Sequence, residues 1–134
     1  HIDLGEIVQP AYFVAAEDDH IAPWRSVAHI SRLIPAPKRS VLSSSGHILG
    51  IINPPVSESK RTYRVADIET TDTRDDWEAR AKERAGSWWP DWFKWLHART
   101  GDWVEARPVV TKAYPKLAAA PGTYVHDQAD HSAA

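Results

Sequence analysis

Two side chains in this sequence have the types and setting for acid–base chemistry. Asp19 stands in Glu17-Asp18-Asp19-His20-Ile21-Ala22-Pro23-Trp24, and His47 in Ser45-Gly46-His47-Ile48-Leu49-Gly50. Each follows a short apolar run. A carboxylate that accepts a hydrogen bond from an imidazole fixes the ring's tautomer and stabilises the imidazolium formed when the other nitrogen takes a proton. An acid and then a histidine, at the ends of successive strands, are the second and third members of a nucleophile–acid–histidine triad. The first member is missing: the chain has no Cys and no Gly-x-Ser-x-Gly turn. That order puts the nucleophile on an earlier strand, upstream of residue 1.

The flanking pattern says how the pair is held. Ala11-Tyr12-Phe13-Val14-Ala15-Ala16 is continuously apolar, as in a parallel-sheet strand buried on both faces. The acidic residues 17–19 end it. Pro23 suits the first turn of a helix, and Trp24, Val27, Ile30, Leu33 and Ile34 recur at helical spacing over 24–34, until Pro35 and Pro37. Arg39-Ser40-Val41-Leu42 reads as a second strand and 43–46 as a loop. Residues 11–42 therefore form a strand–helix–strand unit with a right-handed crossover. Asp19 and His47 then fall outside the carboxyl ends of its strands, where open α/β sheets collect ligands. Gly46 is expected to give the loop before His47 an unusual backbone conformation.

Asn53-Pro54-Pro55 breaks the helix-like stretch after His47. Residues 57–76 read as surface loop with a short strand over 62–65. A charged helix is expected over 75–85, its acids early and Lys82 and Arg84 late, as the helix dipole favours. Gly86-Ser87 separates it from a second helix over 88–99, with Ser87 a candidate N-cap and Pro90 in the first turn. Residues 105–125, with Pro108, Pro115 and Pro121, are expected to run extended and wrap the surface, and the tail 126–134 to be disordered. Three segments result: 1–56 with the catalytic loops, 57–104 with the variable loop and Trp-rich helices packing on the core, and 105–134 with the Pro-rich segment and tail.

Composition narrows the function classes. The net charge of -2 over 134 residues gives no electrostatic footprint for nucleic acid. Without Cys there is no disulfide, zinc–thiolate site or thiol nucleophile within these residues. No apolar run is long enough to span a membrane. The opening His1-Ile2-Asp3, in a chain without Met, reads as a cut through a longer protein. Five of the seven Trp fall between Trp77 and Trp95, which implies either a packed core or a surface for an apolar polymer or partner.

Simpler readings stand beside the catalytic one. Asp18 or Asp19 could cap the helix near Pro23. His47 could be a loop histidine bonded to backbone. His20 is a rival imidazole, though beside the acid it points differently. A metal site at Asp19, His20 and His47 is the weaker reading, because adjacent residues rarely converge on one ion without a further ligand pattern.

The longer motifs carry a resemblance. The stretches around Asp19 and His47, the latter running on through Ile51-Ile52-Asn53-Pro54-Pro55, are joined by Gly86-Ser87-Trp88-Trp89-Pro90-Asp91-Trp92, Tyr114-Pro115-Lys116-Leu117 and Ala120-Pro121-Gly122-Thr123-Tyr124-Val125. Together they resemble the C-terminal part of class I polyhydroxyalkanoate synthases, over nearly the whole chain except 57–80 and the tail. The resemblance implies the C-terminal part of an α/β-hydrolase fold, its last strand–helix–strand unit, plus a Trp-rich helical extension. It implies a Cys–Asp–His triad with Asp19 and His47 as the second and third members, and the Cys upstream. The implied reaction polymerises (R)-3-hydroxyacyl-CoA into polyester with release of CoA, so the CoA thioester is a substrate and no cofactor is needed. It further implies a growing polyester chain and granule surface as partners, a homodimer, and a cytoplasmic, granule-associated location. This fragment alone is expected to be inactive. The competing readings are a thioesterase or polyester depolymerase sharing the same two residues, and a non-catalytic module that binds granules or a partner.

Overall fold

Alternation along the strands sorts side chains onto the two faces of one sheet. The computed structural model describes residues 1–127; residues 1–100 form one unit and the chain from Gly101 a second. In the first unit, β1 (Ala11–Ala16), β2 (Lys38–Ser43), β3 (Thr62–Asp67) and β4 (Lys82–Ala85) lie in sequence order. β1 and β2 are parallel, joined through α1 (Trp24–His29) and a 3₁₀ turn at Ile30–Arg32; β3 and β4 continue the sheet antiparallel. The other helices are α2 (Leu49–Ile52), α3 (Arg74–Arg80) and α4 (Trp89–His97). The fold is mixed α/β, and the parallel strand–helix–strand unit expected over 11–42 is present. Among the described residues no helix is long and apolar enough to cross a membrane.

Ala15 and Leu42 face one side, where they pack with Ile68, Trp77 of α3 and Trp24 and Val27 of α1. Val41, Tyr63 and Val65 face the other, where Trp88, Trp89 and Trp92 close over them. The Trp cluster is thus largely core: Trp77 and Trp88 are buried, while Phe93 is exposed. α3 begins at a capping box, with Asp76 N–H donating to Thr73 Oγ1 and Thr73 N–H to Asp76 Oδ2.

Several expectations change. β1 is an outer strand with β2 as its only neighbour among the described residues, so Ala11–Val14 are half-buried rather than buried on both faces. The helix expected over 75–85 ends at Arg80, and Lys82–Ala85 becomes β4. The free edge of β3 pairs with those residues, and this tertiary pairing overrides the high helix propensity of Lys, Glu, Arg and Ala. All four residues of β4 are exposed and three are charged, which suits a sheet edge. Helix 24–34 is α-helical only to His29. Trp88, not Ser87, is the N-cap of α4, although Ser87 Oγ still accepts from Trp89 N–H at 3.2 Å. In the second unit, residues 105–125 are broken by turns between Thr111 and Tyr114 and between Ala119 and Gly122. Tyr124–His126 forms a 3₁₀ turn, so His126 is not disordered; residues 128–134 lie outside the described residues.

One buried polar cluster ties α4 to the sheet. Arg39 grips Asp91 with two hydrogen bonds, Nε to Oδ1 at 2.7 Å and Nη2 to Oδ2 at 2.8 Å. Tyr12 OH donates to Asp91 Oδ1 at 3.0 Å, and Arg84 lies 3.4 Å from Oδ2. Asp91 in the first turn of α4 is thereby joined to β1, β2 and β4. Burial acts to raise the Asp91 carboxyl, but the Arg39 guanidinium, with Tyr12 and Arg84, outweighs it and holds the group below its usual range. Burial, then Asp91 itself, pushes the Tyr12 phenol up. A carboxyl depressed in the folded state contributes stability that is present above its unfolded pKa and lost as pH falls through the folded value. Asp91→Asn keeps the shape but leaves the guanidinium with the exposed Asp67 carboxylate, 3.0 Å from Nη1, in place of its buried partner. It is expected to cost about 2–3 kcal/mol in urea unfolding at neutral pH, less than a fully buried pair because Arg39 is partly exposed. The difference should shrink as pH is lowered through the carboxylate range; a loss below about 0.5 kcal/mol at neutral pH contradicts this anchoring role.

Candidate active site

The parallel register pairs Ala16 with Ser43, so β1 and β2 end level. The backbone ladder runs one step further: Glu17 N–H donates to Ser43 O at 2.8 Å, and Asp18 N–H to Ser45 O at 3.1 Å. The two loops leave the sheet side by side, and residues 28 apart in sequence meet. His47 Nδ1 donates to Asp19 Oδ2 at 2.8 Å.

Asp19 is held on its other oxygen too. Oδ1 accepts from Ala22 N–H at 2.8 Å and Ile21 N–H at 2.9 Å. The carboxylate therefore orders its own loop with one oxygen and the imidazole with the other. It does not cap α1, whose N-cap is Pro23 without a side-chain bond. The Ala22 amide, followed by the His47 and Ile21 contacts, outweighs desolvation and holds Asp19 below the usual carboxylate range. Asp19 is thus an anion at neutral pH, which fixes the His47 proton on Nδ1. The lone pair of Nε2 is left for chemistry, on a side chain that is 43% exposed.

Asp18 and His20 are both exposed, and His20 is not in the pair. Among the described residues no group of three His, Cys, Asp or Glu could hold a metal ion. A cleft of about 430 Å³ opens beside Lys38, Arg39, Asp91 and Trp95, at the opposite, amino end of β2, and neither Asp19 nor His47 lines it.

The loop geometry differs from the expectation for Gly46. The left-handed backbone falls on Ser45, at φ 81°, while a Cβ on Gly46 would meet only Asp18 O at 3.7 Å. A non-glycine residue in that region stores roughly 1–3 kcal/mol, held by surrounding contacts. The glycine that matters sterically is Gly50, which sequence reasoning passed over. A Cβ there would stand 2.6 Å from Ala16 Cβ and 3.1–3.2 Å from the carbonyls of Ser44 and Ser45. Gly50 lets α2 lie directly on the end of β1. Asn53 ends α2, as the Asn-Pro-Pro break predicts, and is fully buried at φ 23°, with Nδ2 donating to Ser43 Oγ at 3.2 Å. A Gly three residues after a histidine, followed by Asn-Pro-Pro, was the available signal. Gly50→Ala is expected to lower stability by about 1–3 kcal/mol in urea unfolding, with partial recovery on adding Ala16→Gly. Unchanged stability in the single variant contradicts the close packing.

No family model matches the chain. It is 41% identical over 128 residues to a poly(3-hydroxyalkanoate) polymerase of Methylorubrum extorquens, covering 96% of this chain and 21% of that protein. Over 125 residues it is 40% identical to poly(3-hydroxyalkanoate) polymerase 2 of Ectopseudomonas oleovorans, covering 92% of this chain and 22% of that one. The poly(3-hydroxyalkanoate) polymerase subunit PhaC of Cupriavidus necator is 38% identical over 129 residues, with 96% and 22% covered. The chain spans about a fifth of the length of these curated relatives, in their C-terminal portions. With identity at this level running across nearly all of its residues, the chain belongs to the poly(3-hydroxyalkanoate) polymerase family.

Proposed function

We propose that Asp19 and His47 are the acid and base of a Cys–Asp–His triad in a poly(3-hydroxyalkanoate) polymerase, with the Cys supplied by polypeptide upstream of this segment. The observation that carries the reading is the 2.8 Å contact between His47 Nδ1 and Asp19 Oδ2 at the level carboxyl ends of two parallel strands. It leaves Nε2 to take the thiol proton. The thiolate attacks the thioester carbonyl of an (R)-3-hydroxyacyl-CoA, the carbon–sulfur bond to CoA breaks, and the proton passes to the departing CoA sulfur. In the elongation step His47 takes the proton of a 3-hydroxyl group, whose oxygen attacks the enzyme-bound acyl carbonyl; the ester link forms as the carbon–sulfur bond to the Cys breaks, and His47 returns the proton to the departing Cys sulfur. Asp19 orients the ring and stabilises the imidazolium. Its oxygens are occupied by His47, Ile21 and Ala22, which favours this role over direct activation of a hydroxyl.

The same reading continues the sheet from the open side of β1 into the remainder of an α/β-hydrolase core. Residues 1–56 then complete that core, 57–104 brace it, and 105–134 form a C-terminal extension. The CoA thioester is substrate rather than cofactor, the growing polyester and its granule are partners, and the whole enzyme works as a cytoplasmic, granule-associated homodimer. The names of the relatives favour polymerisation over hydrolysis. In the full-length enzyme that carries this chain, His47→Gln should reduce CoA release from 3-hydroxybutyryl-CoA by about 10³–10⁴-fold. Turnover within tenfold of the unsubstituted enzyme removes His47 from the chemistry.

A further inference from the structure

The helix that follows His47 cannot hold itself in place. α2 has four residues, far too few for helix formation to be favourable without outside contacts. Its carbonyls have an additional problem. In a longer helix, Gly50 O and Ile51 O would accept from the amides of residues 54 and 55, but those are Pro54 and Pro55, which have none. The amide of Val56 bonds to Pro54 O instead. The end of α2 therefore needs donors from elsewhere.

Three successive residues supply them. Trp88 Nε1 donates to Gly50 O at 3.3 Å, Trp89 Nε1 to Ile52 O at 2.7 Å, and Ser87 Oγ to Asn53 O at 2.5 Å. Trp88 stands in for the amide that Pro54 lacks. Asn53 completes the joint in the other direction, its Nδ2 lying 3.4 Å from Gly86 O and 3.2 Å from Ser43 Oγ at the end of β2. The two indoles stack with centroids 4.9 Å apart, which fixes both N–H directions together. Behind them, α4 is fixed by the Asp91–Arg39 grip.

We propose that Ser87, Trp88 and Trp89 form a side-chain cap that positions His47. By bonding to the carbonyls of Gly50, Ile52 and Asn53 at the end of α2, the three donors set where the His47 loop sits against Asp19. They act through α2 and touch no reacting atom, so they are positioning residues. This proposal rests on the reading of His47 as the base.

The test uses the full-length enzyme carrying this chain. Trp89→Phe keeps an aromatic ring but removes the N–H; Ser87→Ala removes the hydroxyl and Ser87→Thr restores it. Trp89→Phe and Ser87→Ala are expected to lower kcat about ten- to a hundredfold, with KM for 3-hydroxybutyryl-CoA within twofold. The thermal midpoint should move little, and Ser87→Thr should recover most of the rate. The downfield proton resonance of His47 Nδ1 should broaden or shift in the same two variants and return in Ser87→Thr. That resonance also separates the two readings, because it reports the position of His47 even if His47→Gln proves to have no effect on turnover. Unchanged kcat and an unchanged Nδ1 resonance in Trp89→Phe overturn the proposal. So does a rate loss, with or without misfolding, that Ser87→Thr does not recover and that leaves the resonance untouched.

Discussion

Parallel pairing of β1 with β2 in one register is the constraint on which the rest of the site depends. With Ala16 opposite Ser43, both strands stop at the same level and their outgoing loops share two further backbone hydrogen bonds. A one-residue slip would move the side chains of one strand to the wrong face and separate the loops. The register is held on both faces: Ala15 and Leu42 pack against Trp77, and Val41 packs with Val65 beneath Trp88. The chemistry at the carboxyl end therefore inherits its geometry from an apolar sandwich several residues away.

Support also runs in the opposite direction along the sheet. The Asp91 carboxylate binds Arg39 near the amino end of β2 and Tyr12 on β1, which fixes the first turn of α4. The residues leading into α4 then hold the end of α2 at the carboxyl end of the strands. One short segment, 87–91, links a buried ion pair on one side to the loop of His47 on the other. The aromatic residues there are not a separate binding surface in the main: their rings cover the sheet and their N–H groups end a helix.

The sequence made the Asp19–His47 pair legible because strand endings are marked locally, by acidic residues after one apolar run and Ser-Gly after the other. The parallel unit and β3 were legible for the same reason. What was hidden depends on contacts distant in sequence. β4 reads locally as the end of a charged helix and becomes a strand only because β3 offers it an edge. Ser45 rather than Gly46 takes the left-handed conformation, which the Gly-His dipeptide alone does not reveal. Gly50 matters through Ala16, 34 positions earlier, a proximity that no local pattern encodes. The Trp residues were visible as a cluster, but the direction of their N–H groups toward α2 required the fold.

The central claim is that Asp19 and His47 act as one unit in polymer formation. A double-mutant cycle in the full-length enzyme tests it most directly, with Asp19→Asn, His47→Gln and the pair compared by kcat on 3-hydroxybutyryl-CoA. If the carboxylate works only through the imidazole, Asp19→Asn lowers kcat substantially on its own but adds almost nothing once His47 is gone. If the losses multiply instead, the two residues act independently and the account of the site is wrong.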